Sequence, residues 1–517
     1  MKGPPRIIQS LINSGEISSG KGPVELLQTQ MSWVILTGNY AYKLKKPVNL
    51  GYLDYTSLKK RHHFCDKEVE LNRRLCPQGY LGVVPVKGSQ GNYKLGGTGR
   101  TVDYAVKMLR LPRERMLDVL LEHGKATPAM LEQVAERLAG FHSNAETNAF
   151  IGSFGNLDCI TTNTNENFDQ SGNYVGFALT RARFDHIKQF SLAFLHRYKQ
   201  MLEQRIESGR IRDCHGDLHS AHICFTSDLC IYDCIEFNDR FRYSDVASEI
   251  AFLAMDLDFH GRADLAWTFV DTYIRLSGDR QIGPLLNFYK CYRAMVRAKV
   301  NCFQTDDRYL DNRQKERAAK NARAYFQLAE SYTRQRPLLL VNVGLVGSGK
   351  TTLAKLLGRR LGMVVISSDV VRKKLAGIGL KERRPEKIGR GIYSASFSRL
   401  TYETMFSQAS QWLKRGVSVI LDATFTMAAS RQKAWNLAFE TGADLYYLEY
   451  RISDALANAR LKGRQKRASS ISDAGPEVYT NMKKEFEPLT GTQAARRVII
   501  DSSEKTEQNI QRVLERI

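Results

Sequence analysis

Short apolar runs and longer helical periods divide the chain unevenly. Trp33–Leu36 and Ala41–Leu44 are apolar-rich segments on either side of a Gly38-Asn39 pair, and the pattern predicts a β-hairpin. Tyr104–Leu109 reads as another strand, and beyond Met116 apolar residues recur mainly at helical spacing. The stretch from Asp311 to Arg334 is charged and alanine-rich, with neither proline nor glycine, and predicts a helix. Pro337 ends that pattern and LLLVNVG follows as a buried strand, so a domain boundary is expected near residue 335. After it, candidate strands Leu338–Val343, Met363–Ser367, Ser418–Asp422 and Asp444–Tyr450 alternate with helical stretches, the mark of a parallel α/β sheet. The expected organisation is a domain over residues 1–334, with a strand-rich small lobe (about 25–110) and a helical large lobe (about 111–334). An α/β domain over 335–517 follows.

Composition adds exclusions. A chain of 517 residues exceeds what one hydrophobic core usually organises, and 43% apolar with 25% charged residues is ordinary for a globular protein. No apolar run approaches a membrane span, and the N-terminus lacks the pattern of a secretory signal. Nine cysteines without a CxxC pair do not predict a disulfide framework or a zinc site, so a reduced, cytoplasmic protein away from membranes is expected. Charge discriminates more. Residues 331–517 hold 32 Lys and Arg against 17 Asp and Glu, +15 of a net +22. Such a field favours anionic ligands, and also fits simple solubility.

Gly344 to Thr351 reads GLVGSGKT, a full match to GxxxxGK[ST] between an apolar strand and an amphipathic segment. Gly344, Gly347, Ser348 and Gly349 let successive backbone N–H groups curl around a phosphate at a helix N-terminus. Lys350 reaches the β and γ oxygens, Thr351 offers a hydroxyl to Mg²⁺, and Thr352 continues the loop into the helix. Asp369 and Arg372, in SSDVVR, fit a base for an attacking hydroxyl and a clamp for its acceptor; the same pattern fits a helix N-cap. Asp422 closes VILD as a candidate Mg²⁺ carboxylate, and Arg460, Arg464 and Arg467 fit either an arginine lid over ATP or a solvated basic face.

These motifs, with Ser472-Asp473-Ala474 after the arginine run, resemble the P-loop small-kinase group of polynucleotide kinases, zeta-toxin-like kinases and gluconate kinases over most of residues 336–500. The resemblance implies a P-loop kinase domain, with Asp369 as general base and Arg372 on the acceptor's phosphate.

Earlier in the chain, Cys214 to Ile223 reads CHGDLHSAHI and precedes a candidate strand Cys230–Tyr232 that leads into Asp233. This resembles the H-G-D-x-x-x-x-N loop and later aspartate of aminoglycoside phosphotransferases and choline-kinase-like enzymes, over about residues 25–300. The resemblance implies a two-lobe, protein-kinase-like fold. In it Asp217 accepts the acceptor's proton, Asp233 binds Mg²⁺, and Lys43 pairs with Glu68 to hold the ATP phosphates. Tyr104–Leu109 would enter the adenine hinge, and Asp245 would steady the catalytic loop. His222 stands where that family has the asparagine ligand, and imidazole is a poor partner for Mg²⁺. Cys224, Cys230 and Cys234 read as buried small hydrophobes.

Together these readings predict an ATP- and Mg²⁺-dependent phosphotransferase with two ATP-type domains, acting on a hydroxyl acceptor, most simply a small molecule. Two alternatives stay open: a nucleic-acid 5′-hydroxyl kinase, and an N-terminal domain that senses a ligand without chemistry.

Overall fold

The computed structural model describes residues 4–13, 24–89, 92–307, 310–380, 382, 391–465 and 476–517. Arg467 and Ser472-Asp473-Ala474 lie outside them, as does the side chain of Arg464. Contacts divide the chain into two units, Met1–His260 with Leu265–Thr333, and Gly261–Asp264 with Arg334–Ile517.

The first unit opens with a six-stranded antiparallel sheet. Its strands are β1 (Glu25–Gln28), β2 (Ser32–Leu36), β3 (Tyr40–Lys45), β4 (Tyr80–Ser89), β5 (Asn92–Leu95) and β6 (Arg100–Leu109), in the order β1-β2-β3-β6-β4-β5. The expected hairpin is β2–β3, in register from Leu36↔Ala41 to Ser32↔Lys45. Thr37 closes its turn, its N–H donating to the Tyr40 carbonyl at 2.8 Å and its hydroxyl accepting from Tyr40 N at 3.2 Å. Ile35, Leu44, Val86 and Ala105 pack with Ile8 and Leu11 of the helix Arg6–Asn13. Cys65 and Val69 of the helix Leu58–Asn72 pack with Tyr80, Val106 and Met116. The alternation along the strands thus gives the sheet two covered faces.

Among the described residues, the rest of this unit is helices and loops with two short antiparallel pairs, β7 (Ile211–Asp213) with β10 (Tyr243–Asp245), and β8 (Ile223–Phe225) with β9 (Leu229–Ile231). The helix Val246–Phe259 runs through the core, with Ile250, Leu253 and Leu257 fully buried. One expectation is corrected here: Cys230 is not a free buried thiol but is disulfide-bonded to Cys76. The β8–β9 hairpin brings together residues 154 apart in sequence, a pairing no local spacing signals.

The second unit is a five-stranded parallel sheet: β11 (Leu338–Val343), β12 (Val364–Ser367), β13 (Val419–Asp422), β14 (Asp444–Arg451) and β15 (Arg497–Asp501), ordered β12-β13-β11-β14-β15. All six residues of central β11 are buried, as a strand covered on both faces requires. The four expected strands are present within a residue at each end; β15 is an addition. Because β11 is flanked by β13 and β14, its C-terminal end opens onto a crevice where the chain reverses direction across the sheet, the usual ligand position in such folds. Among the described residues, no helix is long and apolar enough to cross a membrane.

Candidate functional site

Each unit holds one candidate site. In the second, β11 runs directly into the phosphate loop. Gly344 has φ 157°, and a Cβ there would stand 2.9 Å from the Tyr450 Cβ, so the first glycine is required by close packing. Gly347 and Gly349 adopt left-handed φ of 82° and 89°, and Gly349 is the N-cap of the helix Lys350–Leu361. The loop therefore presents the helix's positive end, as the motif predicts. Lys350 Nζ is folded onto the loop, donating to the Leu345 carbonyl at 2.6 Å and to Ser348 Oγ at 3.3 Å, positions a phosphate would compete for. Thr351 and Thr352 are exposed at the loop's edge. Arg460 lies over the loop, its Nη2 donating to the Ser502 carbonyl at 2.8 Å and its Nη1 3.5 Å from the Gly347 carbonyl. The adjoining cavity, about 660 Å³, is lined by Gly347, Gly349, Thr352, Arg460 and Asn509.

Asp422 closes β13 beside this loop. Its Oδ1 accepts from Asn342 Nδ2 at 3.0 Å, while its Oδ2 is buried without a hydrogen-bond partner among the described residues. Burial pushes its carboxyl up from the ordinary range; the Thr351 hydroxyl and Lys350 oppose this, and the charge of Asp369 adds to it. Asp369 is the second residue of the helix Ser368–Leu375, and Ser367 is the N-cap. The capping alternative for Asp369 is therefore not the arrangement found. Arg372, one turn on, is 7% exposed; its Nη1 donates to the Ile392 carbonyl at 2.7 Å and to Ser398 Oγ at 3.2 Å, with the guanidinium 5.0 Å from the Tyr393 ring. These bonds tie it to the neighbouring segment, and its buried Nε has no hydrogen-bond partner among the described residues. The orphaned Asp422 oxygen and the Thr351 hydroxyl are hard oxygen donors, so this site fits Mg²⁺. When bound there, the ion neutralises charge on the nucleotide phosphates.

In the first unit Lys43 is held between Glu68 Oε1 at 2.8 Å and Asp233 Oδ1 at 2.6 Å, so the expected Lys43–Glu68 pair is present. Burial opposes the charge on Lys43, but Asp233, Glu68 and Glu236 outweigh it and raise its pKa well above the lysine range. Lys45 makes a second pair of this kind, with Glu68 Oε2 at 2.6 Å and with Glu236, which also accepts from the Tyr55 hydroxyl at 2.6 Å. Asp233 follows β9 with a left-handed φ of 64°, a strained setting for a non-glycine residue and typical of functional positions.

His222 sits between the two aspartates. Its Nδ1 is 2.9 Å from the Asp217 carbonyl oxygen and its Nε2 is 3.5 Å from Asp233 Oδ2. His219 Nε2 is 3.6 Å from Asp217 Oδ2. Burial raises the Asp217 carboxyl, yet His219, His222 and Arg297 hold it well below the ordinary range, so it is ionised at neutral pH. Asp217, His219 and His222 bring donor atoms within 4.8 Å of one another. With imidazole among them, this donor set does not fit Mg²⁺ as an all-oxygen site does.

The loop itself is held from the helix Val246–Phe259. Glu249 Oε1 accepts from His215 N at 2.8 Å and Gly216 N at 2.7 Å, and Asp256 Oδ2 accepts from Ser220 N at 2.8 Å. This corrects the expectation for Asp245, which instead caps that helix and pairs with Arg205 at 2.6 Å. Glu249, Asp256 and Lys45 were not singled out by sequence; the acidic face of an otherwise apolar helix was the available signal for the first two.

A family model described as an AAA domain matches residues 339–489, which contain the phosphate loop, Asp369 and Asp422. Among solved structures, a gluconokinase from Sinorhizobium meliloti 1021 aligns at 16% identity and TM-score 0.26 over 35% of this chain and 92% of that one. The Mycobacterium tuberculosis APS kinase in complex with AMPPNP and APS aligns at 18% and 0.26 over 35% and 98%. Scores this low carry no weight of their own. Two curated relatives, both named as uncharacterized proteins, come from Mycobacterium tuberculosis strain H37Rv and Mycobacterium bovis. Each is 31% identical over 460 residues, which are 88% of this chain and 88% of the relative. At that identity and coverage, a chain carrying a P-loop AAA domain behind an N-terminal unit with its own acid–lysine site belongs to the same family as these mycobacterial proteins.

Proposed function

We propose that the chain is an ATP-dependent phosphotransferase with two ATP-type sites, and that the P-loop unit transfers the γ-phosphoryl group of ATP to a hydroxyl acceptor, a small molecule in the favoured reading. The observation that carries this is the geometry of the phosphate loop: Gly349 caps the helix Lys350–Leu361, Lys350 Nζ is folded onto the loop 2.6 Å from the Leu345 carbonyl, and Asp422 closes the strand beside it with a buried oxygen that has no hydrogen-bond partner among the described residues. Asp369, in the first turn of the helix Ser368–Leu375, serves as base. The acceptor's O–H proton passes to Asp369 as its oxygen bonds to the γ-phosphorus, and the bond to the bridging oxygen breaks, releasing ADP. Lys350, the loop N–H groups and Arg460 stabilise the spreading negative charge.

The N-terminal unit is read as a second, modified kinase. Lys43, set by Glu68, contacts the nucleotide phosphates, and ionised Asp217 takes the proton of its own acceptor. A nucleic-acid 5′-hydroxyl kinase remains the second reading, favoured by the +15 on residues 331–517.

The test uses the full chain in an Asp217→Asn background, which silences the first site. Asp369→Asn is expected to slow phosphoryl transfer by roughly 10²–10⁴-fold while a non-hydrolysable ATP analogue binds as before. Loss of nucleotide affinity or of thermal stability, with transfer otherwise intact, overturns the base assignment.

A further inference from the structure

The N-terminal cavity is about 820 Å³, larger than a nucleotide phosphate site needs, and Asp217 and Asp233 stand on its wall. Its charges sort unequally. Of the lining carboxylates, Asp233 is paired with Lys43, Glu236 with Lys45, Asp245 with Arg205, and Glu166 with Arg240 through two bonds of 2.8 Å, while Asp217 faces His219 and His222 at 3.6 Å. The cations of the helix Ile282–Asp306 are not matched in this way. Arg293 donates to Ser248 Oγ at 3.1 Å and to the Gly216 carbonyl at 3.2 Å; Lys299 Nζ donates to Asn167 Oδ1 at 2.6 Å. Arg297 Nη1 lies 3.4 Å from His219 Nε2. None of the three makes an ion pair with a carboxylate among the described residues.

Arg293 and Lys299 thus stand on this wall with neutral partners only, Ser248, the Gly216 carbonyl and Asn167, and can meet the anionic group of a ligand. Burial, opposed only in part by Glu166, also pushes the Lys299 ammonium down to about 8, a cost that a bound anion removes. Between these groups the wall is aromatic, with Tyr52, Phe241, Tyr292 and Phe303. Aromatic faces of this kind select a flat, apolar ligand body.

We infer that this cavity is an acceptor site for a hydroxylated aromatic or similarly flat acid, whose carboxylate or other anionic group is met by Lys299 and Arg293 and whose hydroxyl faces Asp217. The inference rests on the reading of the N-terminal unit as a kinase for its catalytic part, and on the cavity alone for its binding part.

The experiment uses the full chain with Lys350→Ala to silence the other site, and two matched pairs of probes. They are 4-hydroxyphenylacetate against tyramine, and 5-hydroxyindole-3-acetate against 5-hydroxytryptamine, titrated calorimetrically with a non-hydrolysable ATP analogue present. In at least one pair the acid is expected to bind tenfold or more tightly than the amine. Lys299→Met should abolish that preference, Lys299→Arg should keep it, and both should melt like the parent. Equal binding, tighter binding of the amines, no binding by either pair, or a preference that survives Lys299→Met overturns the inference. If the acid binds with Lys299 dependence but receives no phosphate from ATP, the anionic cavity stands and the kinase reading of this unit fails.

Discussion

On the proposed kinase reading of the first unit, the side chain at position 222 governs how that site would hold a metal. An asparagine at this place would offer an oxygen; imidazole offers nitrogen, 3.5 Å from the Asp233 carboxylate. In the Lys350→Ala chain, His222→Asn is therefore expected to tighten Mg²⁺ binding in the presence of nucleotide, about tenfold, and to raise Mg²⁺-dependent turnover at that site. Equilibrium dialysis and turnover measured together check this. A fall in both means the histidine has a positive task, such as donating to a phosphate oxygen. At the residue scale, Lys350 sits in a motif whose spacing is dictated by phosphate and backbone geometry. Asp217, Asp233 and the Lys43–Glu68 pair were named only through a family resemblance, and the structure brings them together. Asp245 was misjudged, because two acids one helical turn apart, Asp245 and Glu249, are equally placed in sequence. Only the packing shows which one reaches the loop amides.

At the scale of elements, the helix Val246–Phe259 acts as a clamp. Glu249 is fully buried, and burial alone would raise its pKa, but His142, His215 and the Gly216 N–H outweigh that and bring it from 4.5 to about 2. A carboxyl lowered on folding contributes stability that is complete above pH 4.5 and is lost as the pH falls toward 2. Glu249→Gln is thus expected to cost about 3 kcal/mol at neutral pH, and less as the medium is acidified through that window. Urea melts of both proteins at pH 7 and pH 3 measure the difference; an unchanged gap at the two values rules out the charge as the cause. The elements themselves were read correctly where a strand has an uninterrupted apolar run, as β11 does. They were missed where a strand lies at the sheet edge and mixes charge with apolar residues, as β15 (RVIID) does. The Cys76–Cys230 bond was illegible for a related reason, since its partners meet only after the lobe has formed.

For the whole molecule, the open matter is whether both units bind nucleotide. The phosphate loop and the Lys43–Glu68–Asp233 cluster belong to different units, so each should bind on its own terms. The intact chain is expected to take up two equivalents of a non-hydrolysable ATP analogue. Lys350→Ala should leave one, because the loop loses the amine that meets the β and γ phosphates. Lys43→Met should also leave one, and should fold, because Glu68 keeps its bond to Lys45 at 2.6 Å and is not left as an uncompensated buried charge. The double variant should bind none. Calorimetric stoichiometry separates these cases from a sensor reading in which the first unit binds something other than a nucleotide: there the intact chain takes up one equivalent, Lys43→Met changes nothing, and Lys350→Ala alone removes binding. Repeating the titration with a short 5′-hydroxyl oligonucleotide over 50–200 mM salt tests the nucleic-acid reading of the basic half. Contacts to several phosphates produce a steep linear fall of log affinity with log salt, and a small acceptor does not.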